Sequence, residues 1–121
     1  MNIHTLAAAL VAASAFTASP LAFAHARLEA TFPQANSVVS PAPEQVRLQF
    51  SEPLELPFSK VKLVDDKGAV VTPVRTALDA ANPKALVATV PALHAGAYRV
   101  QWSTVTRDGH KIKGEFPFRV K

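Results

Sequence analysis

From residue 26 onward the apolar side chains recur at every second position, in short runs closed by proline or glycine. That period belongs to a half-buried strand, not to a helix. Tyr98, Val100 and Trp102 alternate with Arg99, Gln101 and Ser103, and form the clearest central strand. Val46, Leu48 and Phe50 alternate in the same way with Arg47, Gln49 and Ser51. Ala26, Leu28, Ala30 and Phe32 fall on one face of a first strand, opposite Arg27, Glu29 and Thr31, and Pro33 stops it. Val61 and Leu63 face inward from a strand over 59–64, and Asp65-Asp66-Lys67-Gly68 turns the chain. Residues 69–74 read as an edge strand because Pro73 interrupts them. A further strand covers 84–90, and Phe116, Phe118 and Val120 form the last, with Pro117 outward. Residues 33–45 and 75–83 read as connections, Pro53 and Pro57 disfavour pairing over 52–58, and 104–114 reads as a polar loop or strand continuation. About seven short strands and no convincing helix predict an all-β chain, a two-sheet antiparallel sandwich of immunoglobulin-like type. No cysteine is present to supply the disulfide of antibody domains, so Trp102 is the expected core anchor.

The first 24 residues have a different character. They carry no Lys, Arg, Asp or Glu, and an apolar run over 6–16 leads to Ala22-Phe23-Ala24. This small-x-small ending predicts a secretory signal peptide over 1–24, cleaved after Ala24. The run is shorter than the roughly 20 residues of an ordinary membrane span. No twin-Arg pair is present, so the general secretion route is expected. The mature domain, 25–121, keeps the whole net charge of +4. That charge is mild and dispersed, which favours solubility and argues against nucleic acid as a partner.

Cleavage after Ala24 makes His25 the first residue, with a free amine beside its imidazole. Amine and ring Nδ1 of one residue close a six-membered chelate, and both lose protons to a metal near neutral pH. By strand parity His25 falls on the polar side with Arg27. Downstream, Asp108-Gly109-His110 sets a carboxylate and an imidazole two residues apart, on the same side of an extended backbone, with Gly109 leaving room for a ligand. The same Asp-Gly pair is also an ordinary hairpin signal. Together with His25 these groups supply one amine, two imidazoles and one carboxylate. A nitrogen-dominated tetragonal set suits Cu(II), and Zn(II) is the natural competitor. His94, in a Leu-His-Ala-Gly turn, is read as exposed and structural, and His4 leaves with the signal.

The mature chain resembles the CopC-type periplasmic copper-binding proteins. The resemblance rests on His25 after Ala24, on Phe50-Ser51-Glu52-Pro53, on 95–102 (Ala-Gly-Ala-Tyr-Arg-Val-Gln-Trp), on Asp108-Gly109-His110 and on 114–120 (Gly-Glu-Phe-Pro-Phe-Arg-Val). These motifs, in order, span essentially all of 25–121. The resemblance implies a Greek-key β-sandwich and one Cu(II) ion in a histidine-brace site with His25, Asp108 and His110 as ligands. Glu52 matches an acidic residue close to the family's site, with an orienting role as second-shell partner. Some members also carry a Met-rich segment that binds Cu(I). The only Met here is Met1, so no Met-based Cu(I) site is expected.

The expected function is that of a periplasmic, monomeric Cu(II)-binding protein with no membrane span in its mature form, which buffers copper or delivers it for homeostasis or resistance. It is not expected to be an enzyme. The resemblance suggests a CopD-type inner-membrane protein as partner. Two alternatives belong to other classes. One is a small copper-dependent oxidative enzyme of monooxygenase type, against which stand the short chain and its few aromatics. The other is a metal-free immunoglobulin-like interaction module.

Overall fold

The computed structural model describes residues 26–121. The expected signal peptide and His25 lie outside the described residues. In chain order the strands are β1 (Leu28–Phe32), β2 (Val38–Val39), β3 (Gln45–Phe50), β4 (Lys60–Asp65), β5 (Val70–Val71), β6 (Arg75–Asp79), β7 (Asn82–Thr89), β8 (Gly96–Val105) and β9 (Lys111–Val120), with one 3-10 turn at Leu56–Phe58. One sheet has the order β1-β3-β7-β6 and the other β2-β9-β8-β4-β5. The chain changes sheet on entering and leaving β2, between β3 and β4, between β5 and β6, and between β7 and β8. This is the expected all-β sandwich, in immunoglobulin-like Greek-key order.

The alternating stripes become the core. Val46, Leu48 and Phe50 of β3 face Leu63 of β4 and Val100 of β8, all with no exposed surface, and Tyr98, Phe116 and Phe118 close the packing. Each such side chain contributes roughly 1.5–3 kcal/mol through burial. Tyr98 stacks on Phe118 with ring centroids 5.5 Å apart. Its hydroxyl, deep in the domain, donates to the carbonyl of His94 at 2.7 Å. Burial raises the pKa of that phenol, and the charges of Asp65 and Asp66 add to the effect.

Four details depart from the sequence expectations. First, the face of β1 reverses. Leu28 pairs with Phe50 but Ala30 pairs with Gln49, so Glu29 is an extra, bulged residue. A bulge shifts parity by one. Ala26 stays buried, while Ala30 and Phe32 turn outward, Phe32 being 57% exposed. Second, Trp102 is not the centre of the core. It packs from the rim, edge-on to Phe50 at 5.0 Å, and its buried indole N–H has no hydrogen-bond partner among the described residues. Third, residues 75–79 are a strand rather than a connection. They pair only with β7, and an edge position demands little alternation. Fourth, the segment over 33–45 includes β2, which pairs in parallel with β9. Of the expected edge strand over 69–74, only Val70–Val71 pairs, with β4.

Trp102 and Gly114 lie opposite each other in the β8–β9 ladder. A Cβ on residue 114 would sit 2.6 Å from Cζ2 of the indole, far inside contact distance. Gly114→Ala is expected to displace the Trp102 ring from Phe50 and to destabilise the fold by about 1–3 kcal/mol. Urea unfolding followed by Trp102 fluorescence measures both effects.

Arg47 of β3 reaches across β7 to Asp79 at the end of β6, at 2.5 Å. The backbone N–H of Ala81, then the Arg47 guanidinium, hold the Asp79 carboxyl below the usual carboxylate range. A folded-state pKa below the unfolded one gives stability that is present above the ordinary aspartate pKa of about 3.9 and lost as pH falls through the depressed value. Acid unfolding monitored by circular dichroism should therefore show a shallower dependence below about pH 4 in Asp79→Asn than in the unaltered protein.

Candidate metal centre

β8 and β9 form a hairpin paired without interruption from Gly96↔Val120 to Val105↔Lys111. The turn between them, 106–110, carries Asp108 and His110. Both neighbouring strands extend further into 104–114 than a polar loop would, so these five residues alone are unpaired with the sheet. The turn is closed by the Thr106 N–H donating to the His110 carbonyl at 3.0 Å and the Gly109 N–H donating to the Thr106 carbonyl at 2.8 Å. Gly109 takes φ +92°, which side-chain-bearing residues rarely adopt.

The structure brings Asp108 and His110 together, though not by the extended backbone expected. The hairpin turn itself does so. Oδ2 of Asp108 lies 2.9 Å from Nδ1 of His110, and both side chains are about half exposed. The other carboxylate oxygen accepts a hydrogen bond from the hydroxyl of Thr106. The Thr106 hydroxyl, and then the imidazole of His110, hold the Asp108 carboxyl below its ordinary pKa. A carboxylate has about four lone-pair directions. The His110 N–H adds a longer contact of 3.5 Å to the oxygen that Thr106 holds, and one lone-pair direction remains for a cation.

The segment after β3 joins this turn to the start of β1. Ser51 and Arg27 exchange two hydrogen bonds: the Ser51 N–H donates to the Arg27 carbonyl and the Arg27 N–H to Ser51 Oγ, each at 3.0 Å. Two residues on, the Arg107 N–H donates to the Pro53 carbonyl at 3.1 Å, and the Glu55 N–H to the Val105 carbonyl at 2.8 Å. Leu54 and Thr106 form an isolated bridge. Glu52, half-buried, is thus bracketed by one neighbour bonded to the start of β1 and another bonded to the Asp108–His110 turn. Prolines 53 and 57 leave 51–55 outside any sheet, so its backbone groups are available for these cross-links.

Thr106 was not singled out by sequence. The signal was present: a hydroxyl residue two positions before an aspartate in a turn is a common local hydrogen-bond pattern. His94 lies exposed in its turn, as expected, but it also comes together with Asp65 and Asp66, their ligand atoms within 4.8 Å of one another. No linear spacing announces this group. The β4–β8 register, which sets Asp65 opposite Tyr98, creates it. It lies at the far end of β8 from the 106–110 turn, roughly 30 Å away at about 3.3 Å per residue. Exposed acidic groups on a turn meet in this way without an ion. A groove of about 940 Å³ runs past Lys60, Lys62, Trp102, Lys113 and Glu115 and does not include the Asp108–His110 turn.

The structure defines a small two-sheet β-sandwich with a carboxylate–imidazole pair on the turn between its two longest strands. Residues 28–121 match the CopC domain, and the chain belongs to that family. It is 40% identical over 129 residues to copper resistance protein C of Escherichia coli, covering 100% of this chain and 98% of that protein. Two solved structures share the fold. CopC from Methylosinus trichosporium OB3b matches with a TM-score of 0.74 and 30% identity, over 80% of this chain and 94% of that one. PcoC, a methionine-rich copper resistance protein from Escherichia coli, matches with a TM-score of 0.70 and 38% identity, over 80% of this chain and 99% of that one. Among the described residues there is no methionine, and no helix long and apolar enough to cross a membrane.

Proposed function

We propose that this protein is a periplasmic Cu(II)-binding protein that buffers copper or hands it on for copper homeostasis or resistance. The observation that carries the reading is the Asp108–His110 pair, fixed on a turn whose flanking backbone is hydrogen-bonded to the segment beside Arg27. His25 precedes Arg27 by two residues, a reach of at most about 7 Å along the chain. Cleavage of a signal peptide over 1–24 frees its amine, and the domain over 25–121 then presents amine and Nδ1 of His25 with the imidazole of His110 as the nitrogen donors. Asp108 would be the weaker donor, since Thr106 already engages one of its oxygens. Glu52 orients the amine or an imidazole from its place between the two segments. Nitrogen-rich coordination of this kind favours one Cu(II) over Zn(II). The family membership, and the name of the 40% identical relative, support copper as the cargo.

In this reading the chemistry is reversible coordination without turnover. The half-exposed donors of an open turn permit ligand exchange with an acceptor, for which a CopD-type inner-membrane protein is the candidate. The mature protein acts as a monomer. Without thioether donors it holds copper as Cu(II), in contrast to what a methionine-rich chain can do.

The test compares two proteins checked by mass, one beginning at His25 and one with a single Gly in front. The extra residue turns the amine into an amide and destroys the chelate, while Asp108 and His110 remain. Cu(II) affinity should fall by orders of magnitude and the paramagnetic spectrum should change, with thermal unfolding of the metal-free forms unaltered. Equal affinity would refute the reading. In the form beginning at His25, His110→Ala should weaken binding more than Asp108→Asn, and His94→Ala should leave it unchanged.

Copper must displace protons from the amine and the imidazoles. Apparent affinity, titrated in matched buffers, is therefore expected to decline as pH drops below about 6.

A further inference from the structure

Thr106 is the one fixed polar group in the turn. Asp108 and His110 are about half exposed, whereas Thr106 is 1% exposed. Its backbone holds both ends of the turn, through the His110 carbonyl and the Gly109 N–H, and bridges to Leu54. Its neighbour on the same face of β8, Thr104, is also buried and shares a hydrogen bond of 2.7 Å with Ser59, whose hydroxyl lies 2.8 Å from the Glu55 carbonyl. Thr106 therefore stands on a rigid polar floor. A buried hydroxyl is costly without an acceptor. Here it has one main acceptor, Oδ1 of Asp108, with the His110 carbonyl at a longer 3.4 Å.

An exposed aspartate beside an exposed histidine samples several rotamers when nothing holds it. With one oxygen tied to a buried hydroxyl, the carboxylate plane is set, and its second oxygen has a defined direction. That oxygen lies 2.9 Å from Nδ1 of His110 while no ion is bound. An ion that takes it as a donor breaks this contact but leaves the one between Thr106 and the other oxygen in place.

We infer that Thr106 is the positioning residue of the copper site: its hydroxyl holds one oxygen of Asp108 and so sets the direction of the other, which the ion takes. The inference rests on the reading given under Proposed function and assigns the buried origin of that site's geometry. Thr106 touches no copper and supplies no donor. It reduces the reorganisation that Asp108 must undergo when an ion arrives. Partners of this kind are worth about 10–100-fold in metal affinity.

The experiment uses the protein beginning at His25, with Thr106→Val, which keeps the shape and removes the hydroxyl, and Thr106→Ser, which keeps the hydroxyl. If Thr106→Val does not fold, Thr106→Ala replaces it. Two quantities are read: Cu(II) affinity by chelator competition and the Cu(II) paramagnetic spectrum. Thr106→Val should lower affinity about 10–100-fold and broaden the spectrum. Thr106→Ser should stay within a few-fold of the unaltered protein in affinity and keep its spectrum.

A purely structural role would lower the unfolding temperature of Thr106→Val while leaving affinity and spectrum alone, and that result overturns the inference. So does a Thr106→Ser variant as weak as Thr106→Val. Failure of the underlying reading looks different. The unaltered protein would then bind copper equally well with and without the extra residue ahead of His25, and both proposals would fall together. A large effect of that extension alongside unchanged binding in Thr106→Val removes the Thr106 inference alone.

Discussion

The β8–β9 ladder is the constraint on which the rest of the molecule depends. Ten consecutive pairs, from Gly96↔Val120 to Val105↔Lys111, leave no freedom in the register of the two longest strands. One face of this hairpin supplies Tyr98, Val100, Phe116 and Phe118 to the core. A slip of β9 by one residue against β8 would turn Phe116 and Phe118 to solvent and bring Glu115 inward. Because the core forbids that slip, the turn over 106–110 is held at one end of the sandwich, and the loop carrying His94 at the other.

The 106–110 turn shows how a rigid core imposes order on an exposed site. Burial falls off along the turn, from Thr106 to the half-exposed Asp108 and His110. Order is passed outward by hydrogen bonds instead, from hydroxyl to carboxylate to imidazole. In the proposed copper site this arrangement would reconcile two demands that pull apart. A metal donor needs a fixed direction, which favours burial. Exchange of cargo with a partner needs access, which favours exposure. The segment over 51–55 serves the same end from the side, since its prolines keep it out of the sheets and its backbone then links the start of β1 to the turn.

Much of the fold was legible in the sequence because period-two alternation and turn residues are local signals. The inward stripes of β3, β4, β8 and β9 are where alternation predicts them. Alternation failed where the sheet departed from regular pairing. In β1 the bulge at Glu29 reversed the facing of Ala30 and Phe32, and nothing in the residue pattern marks the insertion. β6 has little alternation because an edge strand is held by one neighbour only. Trp102 has the size and the stripe position of a core anchor, yet Phe50 and Tyr98 fill the centre and leave it the rim.

For the site, the sequence by itself determined the chemical inventory. It supplied no thiol or, beyond Met1, thioether, one Asp-Gly-His turn, and a histidine directly after Ala22-Phe23-Ala24. Those are properties of residue types and short spacings, which need no fold. Only the tertiary structure decided which groups meet. It set Ser51 against Arg27 and Pro53 against Arg107, so that Glu52 lies between two segments some 80 residues apart in the chain. It also buried Thr106 beneath Asp108, and gathered Asp65, Asp66 and His94 through the pairing of β4 with β8. The physical reason is the same in each case: strand register is set by burial of the core, and the positions of polar groups at the strand ends follow from that register, not from their own sequence spacing.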